Sequence, residues 1–272
     1  MSPIKEKLFL ETNTQFLRIF GTDRERRLIA TRLNGNILLS SYFVFKEFQV
    51  LLIVTLIDFY FFIKQYNNIK EACREFINEY SFSRKYKTLF IAIADDLKNY
   101  NNPMKAIAQI ELLINLSIKS FYKDISFMID IAKCPISKVK FSPGFENVIA
   151  YYHKIQCSPT CCTVYFFKTK KTSLEKAIEK ERTVNLTKVP GDKKKEFNKL
   201  VMIYNKILQD FRYSQQYKNA LGDTIIGLEC PKSAKLITYD NIFIALGQVF
   251  GINFEILKHP PKTVKSFKLL KN

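Results

Sequence analysis

Short apolar runs that alternate with helical segments at both ends of the chain constrain the fold more than any other feature. Four runs have strand length, namely residues 8–10, 37–39, 235–238 and 254–257. The segments that follow three of these runs have helical spacing, namely residues 14–20, 43–63 and 241–250. Strands that alternate with helices are typical of parallel α/β sheets. We therefore expect the four runs to share one parallel sheet in a three-layer α/β fold.

The middle of the chain differs from its ends, because helical spacing dominates there. Helices are predicted over residues 69–80, 86–100, 104–120 and 121–133, and a long amphipathic helix is predicted from Asp192. Residues 162–167 form a short apolar segment, which we interpret as a strand or an apolar edge. The expected organisation is an α/β core made of residues 1–65 and 212–258, a mainly helical insertion over residues 66–211, and a basic tail over residues 259–272.

The chain is strongly basic, with 43 Lys and Arg against 25 Asp and Glu and a net charge of +18. Such a charge attracts polyanions, either nucleic acid or an anionic membrane surface. Residues 168–199 hold eleven basic and five acidic residues. The candidate nucleic-acid contacts in the tail are Lys258, Lys262, Lys265, Lys268 and Lys271. Solvated lysines are the alternative for each position, and a hydrophobic fraction of 47% excludes a disordered chain.

Residues 48–63 are apolar except for Gln49, Thr55 and Asp58. This length lies near the lower limit for a membrane span, and an acidic residue within it disfavours one. We expect a buried helix, and a membrane span is the alternative. The first residues show no signal peptide, which predicts a cytoplasmic protein whose six cysteines are reduced.

Four acidic residues occupy places where the predicted elements begin or end. Glu11 and Asp240 follow apolar runs, Glu47 lies early in the helix after the second run, and Asp223 stands near the start of a helix. Ligands of parallel sheets bind beyond the carboxyl ends of the strands. Carboxylates that cluster there repel one another unless a hard cation such as Mg²⁺ or Mn²⁺ neutralises them. Each acid taken alone also fits a turn, a solvated face or a helix cap.

Each of these acids lies within a short motif, and the motifs occur in a definite order. They are Glu11-Thr12-Asn13, Ser41 to Glu47, Gly222-Asp223-Thr224-Ile225-Ile226 and Thr238-Tyr239-Asp240, with Gly251 before the last strand. In this order the motifs resemble those of the PIN domain, a family of metal-dependent nucleases that act mainly on RNA. The resemblance covers roughly residues 1–60 and 215–258. It departs from the family at Glu11, where Asp is usual, and in the long stretch between Glu47 and Asp223.

The resemblance implies a PIN-like core and an endoribonuclease that cleaves single-stranded RNA with Mg²⁺ or Mn²⁺. Its catalytic residues and metal ligands would be Glu11, Glu47, Asp223 and Asp240. The residues that would orient those ligands or the phosphate are Thr12, Asn13 and Thr238. A PIN-like module with a weakened site, which binds RNA or a protein, is the alternative, because Glu11 is one methylene longer than Asp. RNA is the expected partner, while a cognate antitoxin, another protein and a homodimer stay open; we expect no membrane partner.

A second group of residues has the types of ligand that zinc prefers. His153, Cys157, Cys161 and Cys162 follow the spacing His-x3-Cys-x3-Cys-Cys, and Cys134 could add a further sulfur ligand. The Cys-x2-Cys spacing of a zinc knuckle is absent. We therefore expect reduced thiols in an apolar insertion, with zinc as the alternative.

Overall fold

The computed structural model describes residues 5–79, 102–133, 140–155 and 162–259. Its first part alternates strands and helices as expected. The elements are β1 (Lys7–Leu10), α1 (Thr12–Phe20), α2 (Asp23–Leu33), β2 (Ile37–Ser41), α3 (Tyr42–Tyr66) and α4 (Ile69–Glu79). Ser41, the last residue of β2, accepts a hydrogen bond from the Val44 N–H and so caps α3 directly at the end of the strand.

The remainder of the chain is mainly helical until it returns to the sheet. Its elements are α5 (Pro103–Tyr122), β3 (Ile125–Ile129), α6 (Phe145–Ile155), α7 (Cys162–Thr169), α8 (Lys171–Lys180), a short 3₁₀ turn (Glu181–Thr183), α9 (Gly191–Gln209), α10 (Tyr213–Gln216), α11 (Gly222–Glu229), β4 (Lys235–Thr238), α12 (Phe243–Phe250) and β5 (Phe254–Ile256). The long amphipathic helix predicted from Asp192 is confirmed as α9. The helix predicted over residues 86–100 lies outside the described residues.

The five strands form one parallel sheet in the order β3-β2-β1-β4-β5. The prediction that the four runs near the termini share one parallel sheet is confirmed. In β1, Phe9 lies opposite Leu39 of β2 on one side and Leu236 of β4 on the other. The order of the strands reverses between β1 and β4. In open parallel sheets, the crevice at the carboxyl ends of two such strands is where ligands bind.

The helix predicted over residues 121–133 is wrong, because α5 ends at Tyr122 and β3 (Ile125–Ile129) follows within that range. The guanidinium of Arg18 donates hydrogen bonds to the carbonyl oxygens of Ser120, Phe121 and Lys123, which satisfies the last turn of α5. Asp124 then adopts a left-handed backbone conformation (φ 67°) that redirects the chain into β3. The predicted helical insertion therefore supplies an edge strand. Residues 162–167, predicted as a strand or apolar edge, lie in the helix α7.

The sheet lies between two apolar layers. On one face, Leu8, Leu10 and Ile237 pack with Ile29 and Leu33 of α2. On the other face, the side chains of the strands join a large core that includes α3, α5, α9 and α11. These layers agree with the expected three-layer α/β fold.

The apolar segment over residues 48–63 is a buried part of α3, as predicted. Phe48, Leu52 and Leu56 follow one another at intervals of four residues, and all three are almost completely inaccessible to solvent. Thr55 is also buried, and its hydroxyl donates to the Leu51 carbonyl oxygen 2.8 Å away. Among the described helices, none combines the length and the apolar character that a membrane crossing requires.

Candidate carboxylate site

Glu11 begins the site, directly after the carboxyl end of β1. Its side chain is 2% exposed and caps α1. Oε2 accepts a hydrogen bond from the Asn13 N–H at 2.6 Å, and Oε1 accepts one from the Thr14 N–H at 3.0 Å. The Thr14 hydroxyl donates to the Ile237 carbonyl oxygen at 2.9 Å, which holds the start of α1 against β4. The predicted turn residue therefore has a structural role as a helix cap within the crevice.

Glu47 approaches the same place from α3. The Thr12 hydroxyl donates to Glu47 Oε2 at 2.6 Å and so orients this carboxylate. Gly222 faces the other carboxylate oxygen, since a Cβ at this position would overlap Glu47 Oε1. The glycine therefore allows the Glu47 carboxylate to reach the first turn of α11.

Asp223 is the half-buried acid of that first turn. Burial raises the pKa of its carboxyl group well above the ordinary value. Repulsion from Asp240, Glu47 and Glu11 raises that pKa further, and Glu196 adds to the effect. Contacts place three of these acids near one another, because Thr12, next to Glu11, donates to Glu47, and Glu47 lies against Gly222, next to Asp223.

Asp240, the fourth predicted acid, follows the carboxyl end of β4. Its backbone N–H donates to the Thr238 hydroxyl at 2.9 Å, and its Oδ1 accepts a hydrogen bond from the Ile242 N–H at 3.0 Å. These bonds fix the turn that leads into α12. The other oxygen, Oδ2, accepts a hydrogen bond from Lys193 Nζ at 3.0 Å. Asp240 is thus a turn residue and a member of an ion pair, and the N-cap of the next helix is Ile242 instead.

Lys193 and Glu196 are members of the site that the sequence analysis did not single out. Both lie in the first turns of α9, and Lys193 Nζ is 2.8 Å from Glu196 Oε2. Burial alone lowers the pKa of Lys193, but the hydrogen bonds to Glu196 and Asp240 outweigh burial and raise that pKa above its ordinary value. The sequence placed Lys193 in the basic surface over residues 168–199. A Lys-x-x-Glu pair at the start of a helix is the signal that could have marked it.

Tyr239 borders the acids on the α2 side of the sheet. Its ring stacks on the imidazole of His259, with 4.5 Å between the ring centroids. His259 Nδ1 lies 3.5 Å from Glu25 Oε1. Burial raises the pKa of Tyr239 to about 12, and the charges of Glu25 and Glu11 contribute. These contacts connect the residue before Asp240 with Glu25 of α2.

The carboxylates form an open group and not a compact cage. In the part of the chain that the structure describes, no three His, Cys, Asp or Glu side chains are arranged closely enough to hold a metal ion as they stand. The donors are nevertheless carboxylate oxygens, which are the ligands that Mg²⁺ and Mn²⁺ prefer. Asp240 Oδ1 accepts one hydrogen bond, from the Ile242 N–H, and an oxygen of this kind has a second lone pair. The donor chemistry fits a hard divalent cation.

The comparison with protein-family models, the comparison with curated proteins and the comparison with solved structures each returned no match.

The two other predicted groups are described only in part. His153 is exposed on α6 and Cys162 is buried at the start of α7, whereas Cys134, Cys157 and Cys161 lie outside the described residues. The possible zinc site therefore stays a prediction. In the tail, Lys258 is exposed. The other tail lysines, Lys262, Lys265, Lys268 and Lys271, lie outside the described residues.

Proposed function

We propose that the protein is a divalent-cation-dependent endoribonuclease that cleaves single-stranded RNA at the carboxylate site. The observation that carries the proposal is a series of contacts between separate segments of the chain. Thr12, next to Glu11, donates to Glu47 Oε2, and Glu47 lies against Gly222, next to Asp223. Gathering like charges costs stability, and a hard cation offsets that cost. The acids lie at the point where the strand order reverses, which is the usual ligand site of a parallel sheet.

The choice of RNA as substrate is supported by charge and by sequence. The net charge of +18 favours a polyanion, and exposed lysines such as Lys195 and Lys199 lie on the same helix as Lys193. The motifs around the four acids resemble those of PIN domains. An acidic centre within a basic protein suits a phosphodiester, because the surface attracts the strand while the acids hold the cation.

Mg²⁺ or Mn²⁺ would be held by Asp223, Glu47 and Asp240, with Glu11 beside them. When bound, such an ion supplies an activated water and stabilises the charge that develops on the scissile phosphate. The chain itself orients the ligands. Thr12 holds one oxygen of Glu47, and the first amide groups of α1 hold Glu11.

Cleavage of a fluorescently labelled single-stranded RNA tests the proposal, with Mn²⁺, with Mg²⁺ and with a chelator. Cleavage should require the cation. Asp223→Asn and Asp240→Asn each remove a charged ligand oxygen at constant shape and should lower the rate at least about 100-fold. Asp192→Asn is the matched control, because Asp192 is an exposed acid on α9 and its substitution should leave the rate unchanged. Both site variants cleaving at the rate of the native protein would refute the proposed function.

A PIN-like binding module with a weakened site is the second candidate, and one observation favours it. Both carboxylate oxygens of Glu11 accept backbone hydrogen bonds from α1, so this side chain already serves as a helix cap. Glu11→Asp discriminates the candidates, because Asp caps helices well and restores the residue usual in PIN domains. A native protein that binds RNA without cleaving it, together with an active Glu11→Asp variant, would identify the binding module. Cleavage by the native protein would exclude it.

A further inference from the structure

A protein-borne cation already lies within the carboxylate site. Lys193 Nζ contacts Asp240 Oδ2 at 3.0 Å and Glu196 Oε2 at 2.8 Å. The side chains of Lys193 and Asp240 are 23% and 19% exposed, so their attraction is screened less than that of a surface ion pair. The ammonium therefore neutralises part of a group of acids whose charges otherwise repel one another.

The packing of α9 fixes Lys193 in this position. Phe197, Leu200 and Val201, which follow Lys193 on the helix, are buried in the main core. One turn later, the Tyr204 hydroxyl is hydrogen-bonded to Thr224 Oγ1 at 2.7 Å, and Thr224 is the residue next to Asp223. Because α9 is joined to α11 beside the acids, Lys193 is presented to Asp240 by the fold and not by a freely moving surface segment.

Lys193 contacts the Asp240 carboxylate oxygen that accepts no hydrogen bond from the backbone. Oδ1 accepts the Ile242 N–H, whereas Oδ2 faces the ammonium of Lys193. A divalent ion that bound Oδ2 would lie close to the ammonium of Lys193. The two cations would then repel each other. Glu196, one turn along α9, offers Lys193 an alternative partner that it already contacts.

We propose that Lys193 is a built-in counter-ion of the carboxylate site that competes with divalent cations for Asp240 Oδ2 and so sets the affinity and the charge selectivity of the site. The inference rests on the proposed function, because it takes the acids to be cation ligands. A divalent ion displaces the ammonium through its greater charge. A monovalent ion has no such advantage and is excluded.

Binding of Mn²⁺ alone to the full-length protein, measured by isothermal titration calorimetry, tests the inference without any activity assay. Lys193→Met keeps the length of the side chain and removes its charge. This variant should bind Mn²⁺ roughly tenfold more tightly, because the competing charge is lost at short range. Lys193→Arg keeps the charge and should bind Mn²⁺ with an affinity within about threefold of the native protein.

Lys206→Met is the matched control. Lys206 is an exposed lysine about 20 Å further along α9, and its substitution changes the net charge by the same amount. It should leave the Mn²⁺ affinity within about twofold of the native value, because distant exposed charges are screened.

The outcomes separate this inference from the proposed function. Tighter binding by Lys193→Met alone supports the counter-ion, even when the native protein binds too weakly to measure. Equal affinities of the native protein and Lys193→Met overturn the inference and leave the cation site standing. A lack of Mn²⁺ binding in both proteins overturns the cation site and the inference together. If Lys206→Met also bound Mn²⁺ tenfold more tightly, the effect would be a general one of net charge, and the specific role of Lys193 would be overturned.

Discussion

Replacing Asp223 by Asn should stabilise the cation-free protein. The carboxylate of Asp223 is half-buried and is repelled by Asp240, Glu47 and Glu11, whereas the amide of Asn has the same shape and no charge. A like-charged neighbour near a protein surface costs about 1–4 kcal/mol at contact distance. The separations here are larger and water screens part of the repulsion. We therefore expect the free energy of unfolding to rise by about 1–2 kcal/mol at pH 7.

Urea unfolding followed by circular dichroism in the presence of a chelator measures this gain. Because the pKa of Asp223 is raised in the folded state, the native protein loses stability as the pH rises from the ordinary pKa of a carboxyl group to this raised pKa. The difference between Asp223→Asn and the native protein should therefore be present at neutral pH and vanish below the ordinary pKa of a carboxyl group. Saturating Mn²⁺ should reverse the order at pH 7, because only the native protein gains the full stabilisation by the ion.

Asp192→Asn is the matched control for this measurement, because Asp192 is an exposed acid. This substitution should change the free energy of unfolding by less than about 0.5 kcal/mol at either pH. An Asp223→Asn protein that is no more stable than the native protein at pH 7 would show that the acids do not repel one another. The electrostatic argument for the site would then be wrong.

Further predictions concern single contacts. Arg18→Met removes the hydrogen bonds that end α5 and should lower the free energy of unfolding in urea by about 2–3 kcal/mol. Gln15→Leu should raise it by about 1 kcal/mol, because the amide of Gln15 is buried without a hydrogen-bond partner among the described residues. Gly222→Ala displaces the Glu47 carboxylate and should slow RNA cleavage about 100-fold in the labelled-RNA assay. Removal of residues 258–272 should weaken RNA binding and reduce its salt dependence together, as fluorescence anisotropy at several salt concentrations would show.

The strands near the termini could be predicted because each is a short apolar run with a helix beside it. The edge strand β3 could not, because its residues do not alternate between buried and exposed. Phe127 is 67% exposed and Ser126 is exposed as well, so the pattern lacks the period of two that marks a strand. This segment forms a strand because it pairs with β2, which is far away in the sequence. In addition, Arg18 donates hydrogen bonds to the last turn of α5, where the helix ends.

The acids of the candidate site could be predicted from their places at the ends of elements, but their partners could not. Glu11 and Asp240 follow parallel strands in the sequence, so both lie at the same edge of the sheet. Lys193 reaches the same edge only because α9 packs against α11, which is a tertiary contact with no local signature. In the sequence, Lys193 is one lysine among several in a basic stretch. Its half-buried position beside a carboxylate becomes visible only in the fold.

The pairing of β1 with β4 also determines when the site comes into being during synthesis. Leu8 pairs with Lys235, so the two strands that border the crevice leave the ribosome far apart in time. About 230 residues separate them, which corresponds to roughly 10–45 s at usual translation rates. A nascent chain that has not reached α11 contains Glu11 and Glu47 but neither Asp223 nor Asp240. The proposed site is therefore incomplete until the segments after α11 have been synthesised, and a chain that ends before α11 contains only two of the four acids.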